Sequence, residues 1–231
     1  VAQSLKGFAD ALEKADDFEG ALHDLIRSTI HAHKRIIFNG NGYDDAWIKE
    51  ATEQRGLLNL RTTPDAMPTL LEKKNVDMLT GLKIFTKAEL ESRYEIMMEN
   101  YVKTVTIEAQ TMLDMTRKEI LPAVSGYTKE LTETLAAKRT ILPSLPAKYE
   151  TGTITKLSSL LDQIDAAADE LEKTTLQIKA IDSVTESAFQ IRDAMLPRMA
   201  ALRVVCDEAE PLTSERFWPF PTYDKLLFGV R

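Results

Sequence analysis

Residues 36–45, IIFNGNGYDD, alternate glycines with asparagines between an apolar run and two aspartates at a helix start. Glycine-rich turns that enter helices often cradle phosphates, because free N–H groups and the helix dipole point at the anion. Here that chemistry fails on three counts. A P-loop needs Lys-Ser or Lys-Thr after its last glycine, but Tyr43 follows Gly42. The dinucleotide fingerprint needs a third small residue, and Asp45 stands in its place. Asp44 and Asp45 also put negative charge where the anion would sit. Asn39, Gly40, Asn41 and Gly42 are therefore read as a structural turn, with positive φ expected at glycine and asparagine.

The remaining chemical side chains are equally plain. His31 and His33 lie two apart on an expected helix, so their side chains diverge and cannot chelate together. With Lys34 and Arg35 they make a positive helix C-terminus, and His23 has no partner in sequence. Met97, Met98, Met112 and Met115 recur at helical spacing, which suits core filling more than a metal or peptide stripe. Asp162, Asp165, Asp169, Glu170 and Glu172 read as the solvated face of a helix. Cys206, the single cysteine, reads as a small core residue in a reducing, cytoplasmic setting. No catalytic, cofactor-binding or metal-binding residue is assigned.

A net charge of −7 argues against nucleic acid and anionic lipid as partners. No run approaches the roughly 18 apolar residues of a membrane span. The opening VAQSLKGFADAL lacks the basic flank and apolar stretch of a signal peptide, and a first residue of Val suggests a piece of something longer.

The elements that must position these side chains are mainly helices. Leu5, Phe8 and Leu12 mark a first helix; Leu22, Leu25, Ile26 and Ile30 mark a second, capped by Asp16 or Asp17. Ile36–Phe38 reads as a short strand before the NGNG bend. A helix from about Asp45 to Arg55 should stop at Gly56. Thr63-Pro64 starts another, and Thr86 with Glu89 forms a capping box. Beyond it a rod runs to about Arg139, kinked rather than ended by Pro122. Tyr94, Met98, Tyr101, Val105, Met112 and Leu131 face its partners. Leu157, Leu161, Ile164, Ala168, Leu171, Thr175 and Ile178 step by four and three, a coiled-coil type of seam. The stepping returns from Val184 to Ala209, with a kink at Pro197 and a stop at Pro211. The expected fold is mainly α: long kinked helices in an antiparallel three-helix bundle, preceded by a smaller helical segment with a short strand and turn. Phe217, Trp218, Phe220 and Tyr223 crowd a Pro-rich tail that must be buried against its own domain or a neighbour.

Three stretches carry a resemblance: HKRIIFNGNGYDDAW (33–47), SRYEIMMENYVKTVTIEAQTMLDM (92–115) with ILPAVSGYTKEL following, and WPFPTYDKLLF (218–228). Together they resemble the C-terminal region of type III glutamine synthetase, from about Ser4 to the end. One departure is Asp224-Lys225, where the family has a Gly-Asp pair. The resemblance implies a fragment of a large cytosolic enzyme that joins ammonia to glutamate, using ATP with magnesium or manganese. It also implies subunit rings stacked into a dodecamer, a homo-oligomer. The family's metal, ATP and substrate motifs lie upstream, so none carries over to a residue here. On this reading residues 1–83 end the catalytic portion, 84–212 form the bundle, and 213–231 form the aromatic tail, with Phe217, Trp218, Phe220 and Tyr223 as interface residues. The competing readings are an independent adaptor bundle that binds a partner helix, and a stand-alone enzyme using the NGNG turn.

Overall fold

The structure is a computed structural model describing residues 1–221 and 223–229, with the side chains of Tyr223 and Asp224 outside the description. It is mainly helical, without a strand among the described residues. The chain divides into two compact units, residues 1–94 and 95–231.

In the first unit, α1 (Ala2–Leu12) and α2 (Phe18–His33) pair with each other. Asp17 caps α2 by accepting the Gly20 N–H at 3.2 Å. Ile36–Phe38 is not a strand: Lys34–Ile36 close a 3₁₀ turn and the next residues run extended. A strand is stable only against a neighbour, and none lies among the described residues. After the NGNG bend, α3 (Asp45–Lys49) runs into a π turn, Glu50–Gln54. Gly56 then adopts φ +66°, letting the Leu57 N–H reach back to the Ala51 carbonyl at 2.9 Å.

The hydroxyl that caps α4 (Thr63–Ala66) belongs to Thr62, one residue before the expected Thr63, and Pro64 is buried in the first turn. α5 (Lys73–Gly81) is closed by Lys83, two residues past its end, which takes φ 57°. There the Ile84 and Lys83 N–H groups return to Leu79 and Thr80 in a Schellman arrangement. The capping box forms as expected: Thr86 N–H donates to Glu89 at 2.7 Å, and Glu89 N–H to the Thr86 hydroxyl at 3.3 Å. It opens α6 (Lys87–Met115).

The second unit is built on long helices. α6 passes through a π turn at Thr116–Ile120 into α7 (Leu121–Ile141), so the rod survives Pro122. α8 (Lys148–Lys179) follows, then α9 (Val184–Gln190), another π turn at Ile191–Met195, and α10 (Leu196–Ala209). Both π turns of this unit are followed at once by Leu-Pro, Leu121-Pro122 or Leu196-Pro197. A proline lacks the N–H and crowds the carbonyl four residues back; a widened turn just before it relieves that crowding without ending the helix. A short final helix, α11, spans Tyr223–Phe228.

The core follows the stepping read from sequence. Leu157, Ile164, Ala168 and Leu171 of α8 are fully buried, as are Ile191, Met195 and Leu202 opposite. Val105, Ala109, Val124 and Leu131 complete the cluster from the α6–α7 rod. Met98 is fully buried, Met112 and Met115 are half-buried, and Met97 is exposed, so most of the methionine stripe serves packing. Cys206 is buried, and burial pushes its thiol up to about 11 even with Thr116 as hydrogen-bond partner. No helix among the described residues is long and apolar enough to cross a membrane.

Candidate functional site: an aromatic turn and an aromatic tail

The NGNG turn is held by side chains from three directions. Phe38 stacks on Trp47 with ring centroids 3.9 Å apart and planes 19° from parallel. The Arg55 guanidinium lies 4.9 Å above the Trp47 ring on a cation–π contact. Arg55 is fixed in turn by Glu50 and by the Arg35 carbonyl, so it ties the end of the π turn to the chain before Phe38. None of these partners was visible from spacing, since a bend and a helix separate them.

The expectation of left-handed backbone in NGNG is corrected. Among the described residues only Gly56 and Lys83 have positive φ; Asn39, Gly40, Asn41 and Gly42 do not. The Asn41 carboxamide accepts the Tyr43 N–H at 3.1 Å, and the Asn41 carbonyl accepts the Asp44 N–H at 3.4 Å. Such an Asx turn reverses the chain without a left-handed residue. Gly40 is needed for another reason: a Cβ there would stand 2.5 Å from the Phe38 ring. Gly42 has open space around it.

The turn does not fit a phosphate. Asp44 occupies the start of α3 by accepting the Ala46 N–H at 3.0 Å, and α3 is only five residues long. Among the described residues no group of three or more His, Cys, Asp or Glu is placed to hold a metal ion. His23, His31 and His33 are all exposed. Tyr43, at the tip, is almost wholly exposed.

The tail packs on the second unit. Phe217, Trp218 and Phe220 are half-buried against the core cluster. The Phe217 ring lies 5.6 Å from the Tyr127 ring, and its edge comes within 3.2 Å of where a Cβ on Gly126 would project. Gly126 therefore makes room for the tail. Arg216 pairs with Glu130 and lies over the Phe217 ring. Tyr127 shares its hydroxyl with Tyr149 at 2.8 Å; that bond and burial raise the Tyr127 phenol to about 12. Leu226, Leu227 and Phe228 of α11 are 66–79 % exposed. The Tyr223 side chain, named with the tail aromatics, lies outside the described residues.

Among the described residues, ion pairs join the long helices of this unit. Arg117, at the π turn, bonds Asp169 and Glu172 of α8, each at 2.8 Å. Lys138 of α7 pairs with the largely buried Glu150 of α8. The Arg117 hydrogen bond holds Glu172 below the usual carboxylate range, and the Lys138 hydrogen bond does the same for Glu150.

Residues 21–139, from α2 to near the end of α7, match the family described as Glutamine synthetase C-terminal domain. The chain belongs to this family. Similarity to individual glutamine synthetases extends beyond the matched domain in both directions. A glutamine synthetase of Butyrivibrio fibrisolvens is 36 % identical over 216 residues, 94 % of this chain but 31 % of that protein. A type-3 glutamine synthetase of Dictyostelium discoideum is 29 % identical over 99 % of this chain and 32 % of its own length. A glutamine synthetase of Bacteroides fragilis is 26 % identical over the same shares. The chain thus spans about a third of the length of these relatives. Both aromatic features lie in this C-terminal third: the stacked turn is inside the matched domain, and the tail is beyond it.

Proposed function

We propose that this chain is the C-terminal accessory and assembly region of a glutamine synthetase, and that it is not catalytic by itself. The observation carrying this reading is the lopsided similarity: nearly all of this chain, but only about a third of each relative. In the parent, ATP with Mg²⁺ or Mn²⁺ drives the joining of ammonia to glutamate in the cytoplasm, on groups supplied by the preceding part of the polypeptide. Residues 1–83 close that catalytic portion, 84–212 form an antiparallel three-helix bundle, and 213–231 form the tail.

The ion pairs favour the bundle. Lys138 meets Glu150 near one end and Arg117 meets Glu172 toward the other, so α7 and α8 run in opposite senses. Ile178 shares a hollow with Val184, while Thr155 shares one with Leu212, which sets α9–α10 against α8 in the same way. In the tail, the inner faces of Phe217, Trp218 and Phe220 anchor the segment on its own bundle. Their outer faces, with Tyr223 and the exposed Leu226, Leu227 and Phe228, contact a neighbouring subunit of the homo-oligomer, a dodecamer by resemblance.

Calorimetry and a glutamine-forming assay test the catalytic half of this reading. The chain alone binds no Mg-ATP at micromolar concentrations and makes no glutamine, whereas the full-length parent does both. Micromolar Mg-ATP binding by the chain alone contradicts it.

A further inference from the structure

The α1–α2 pair is apolar on one side, yet its apolar residues are only half-buried or exposed. No residue of either helix is buried. Leu5, Phe18, Ile26 and Ile30 are 49–59 % exposed. Between the helices lies a hollow of about 260 Å³ lined by Phe8, Leu12, Leu22, Leu25, Ile26 and Ile30. α8, by contrast, buries nine residues. An amphipathic helix pair of this kind holds its place by covering its apolar stripe, and a contiguous open stripe marks a surface that meets something.

Two observations bear on what covers it. The matched domain begins at residue 21, inside α2, whereas similarity to the longer relatives takes in nearly all of this chain. The helix pair thus straddles the start of the matched domain, while about two-thirds of each relative's length lies outside this chain. Charge speaks against self-pairing. Residues 1–33 hold six carboxylates, from Asp10 to Asp24, against Lys6, Lys14 and Arg27, a net of −3. These carboxylates are all exposed, so a second copy would bring an acidic segment against itself, and like charges across an interface are costly.

We propose that the α1–α2 apolar face is a docking surface for the preceding part of the same glutamine synthetase polypeptide, within one subunit, through an apolar face rimmed by Lys or Arg. The proposal rests on the reading of this chain as the end of a longer enzyme.

The test uses the full-length parent with a photoreactive benzoylphenylalanine in place of Ile26, irradiated in its native state, denatured and mapped by mass spectrometry. The expected product keeps the mass of one chain and joins position 26 to a peptide preceding residue 1. A product of doubled mass, or no cross-link at all, overturns the proposal. Should the substituted protein misfold, hydrogen exchange of the unmodified parent decides: α1–α2 amides protected at least tenfold more than in the 231-residue chain support it, and equal protection overturns it. Failure of the assembly reading is told apart by mass in solution. A monomeric parent with a within-chain cross-link removes the assembly role and leaves this docking surface intact.

Discussion

Gly40 is held by its neighbours and not by its backbone: the Phe38 ring that lies on Trp47 fills the space a Cβ would need. Gly40→Ala must push that ring off its stack and is expected to lower stability by about 1 kcal/mol, near the low end of overpacking costs. Gly42→Ala meets open space without a left-handed φ, so it should melt with the parent chain. Thermal melts of the two variants check the contrast; equal losses would put the effect in the backbone after all. Thr86→Ala removes the hydroxyl that accepts the Glu89 N–H and is expected to cost about 1 kcal/mol, typical of an N-cap, with no change in mass in solution. That cap was legible because its two residues are three apart on one helix. The Phe38–Trp47–Arg55 stack was not, since each partner is brought in by a different turn, and Arg55 in sequence was merely the last residue of a helix.

Along the helices, period and burial agree wherever the seam is continuous. The residues read as facing inward from Leu157 to Ile178 are buried or half-buried, because steps of four and three keep one stripe on one side. The two π turns that precede Pro122 and Pro197 were beyond reach of the pattern. A proline inside a helix announces a kink, but the widened turn arises from the fit of its ring to the preceding carbonyls and to the packing around Ile120 and Met195. Ile36–Phe38 shows the converse limit: its β-branched and aromatic residues suit a strand, yet strand formation depends on a partner that local sequence does not contain. The helix-joining carboxylates give this level its pH signature. Glu172 and Glu150 titrate below the ordinary glutamate range when folded, so their contribution is complete above that range and is lost as pH falls through the lowered folded values. Melting temperature is therefore expected to hold steady from neutral pH to the top of that range and to fall below it. Glu172→Gln should shallow the acid limb, and an unchanged limb would mean that Arg117 does not stabilise the charged form.

For the whole molecule, family and helical class were legible because they rest on long, ordered stretches of sequence, and assembly is the property that a single chain leaves to be measured. The tail divides at Pro221: the rings before it pack on Tyr127, Gly126 and the core cluster, whereas Leu226, Leu227 and Phe228 beyond it are exposed. Side chains of this size each contribute about 1.5–3 kcal/mol when fully buried, enough for a few of them to decide a subunit contact. Deleting residues 222–231 leaves Phe217, Trp218 and Phe220 in place and so separates the two roles. Sedimentation velocity of the full-length enzyme with and without that deletion tests the account most directly. It predicts that the truncated enzyme sediments as smaller species while each subunit melts close to the intact one; an undiminished assembly would contradict it.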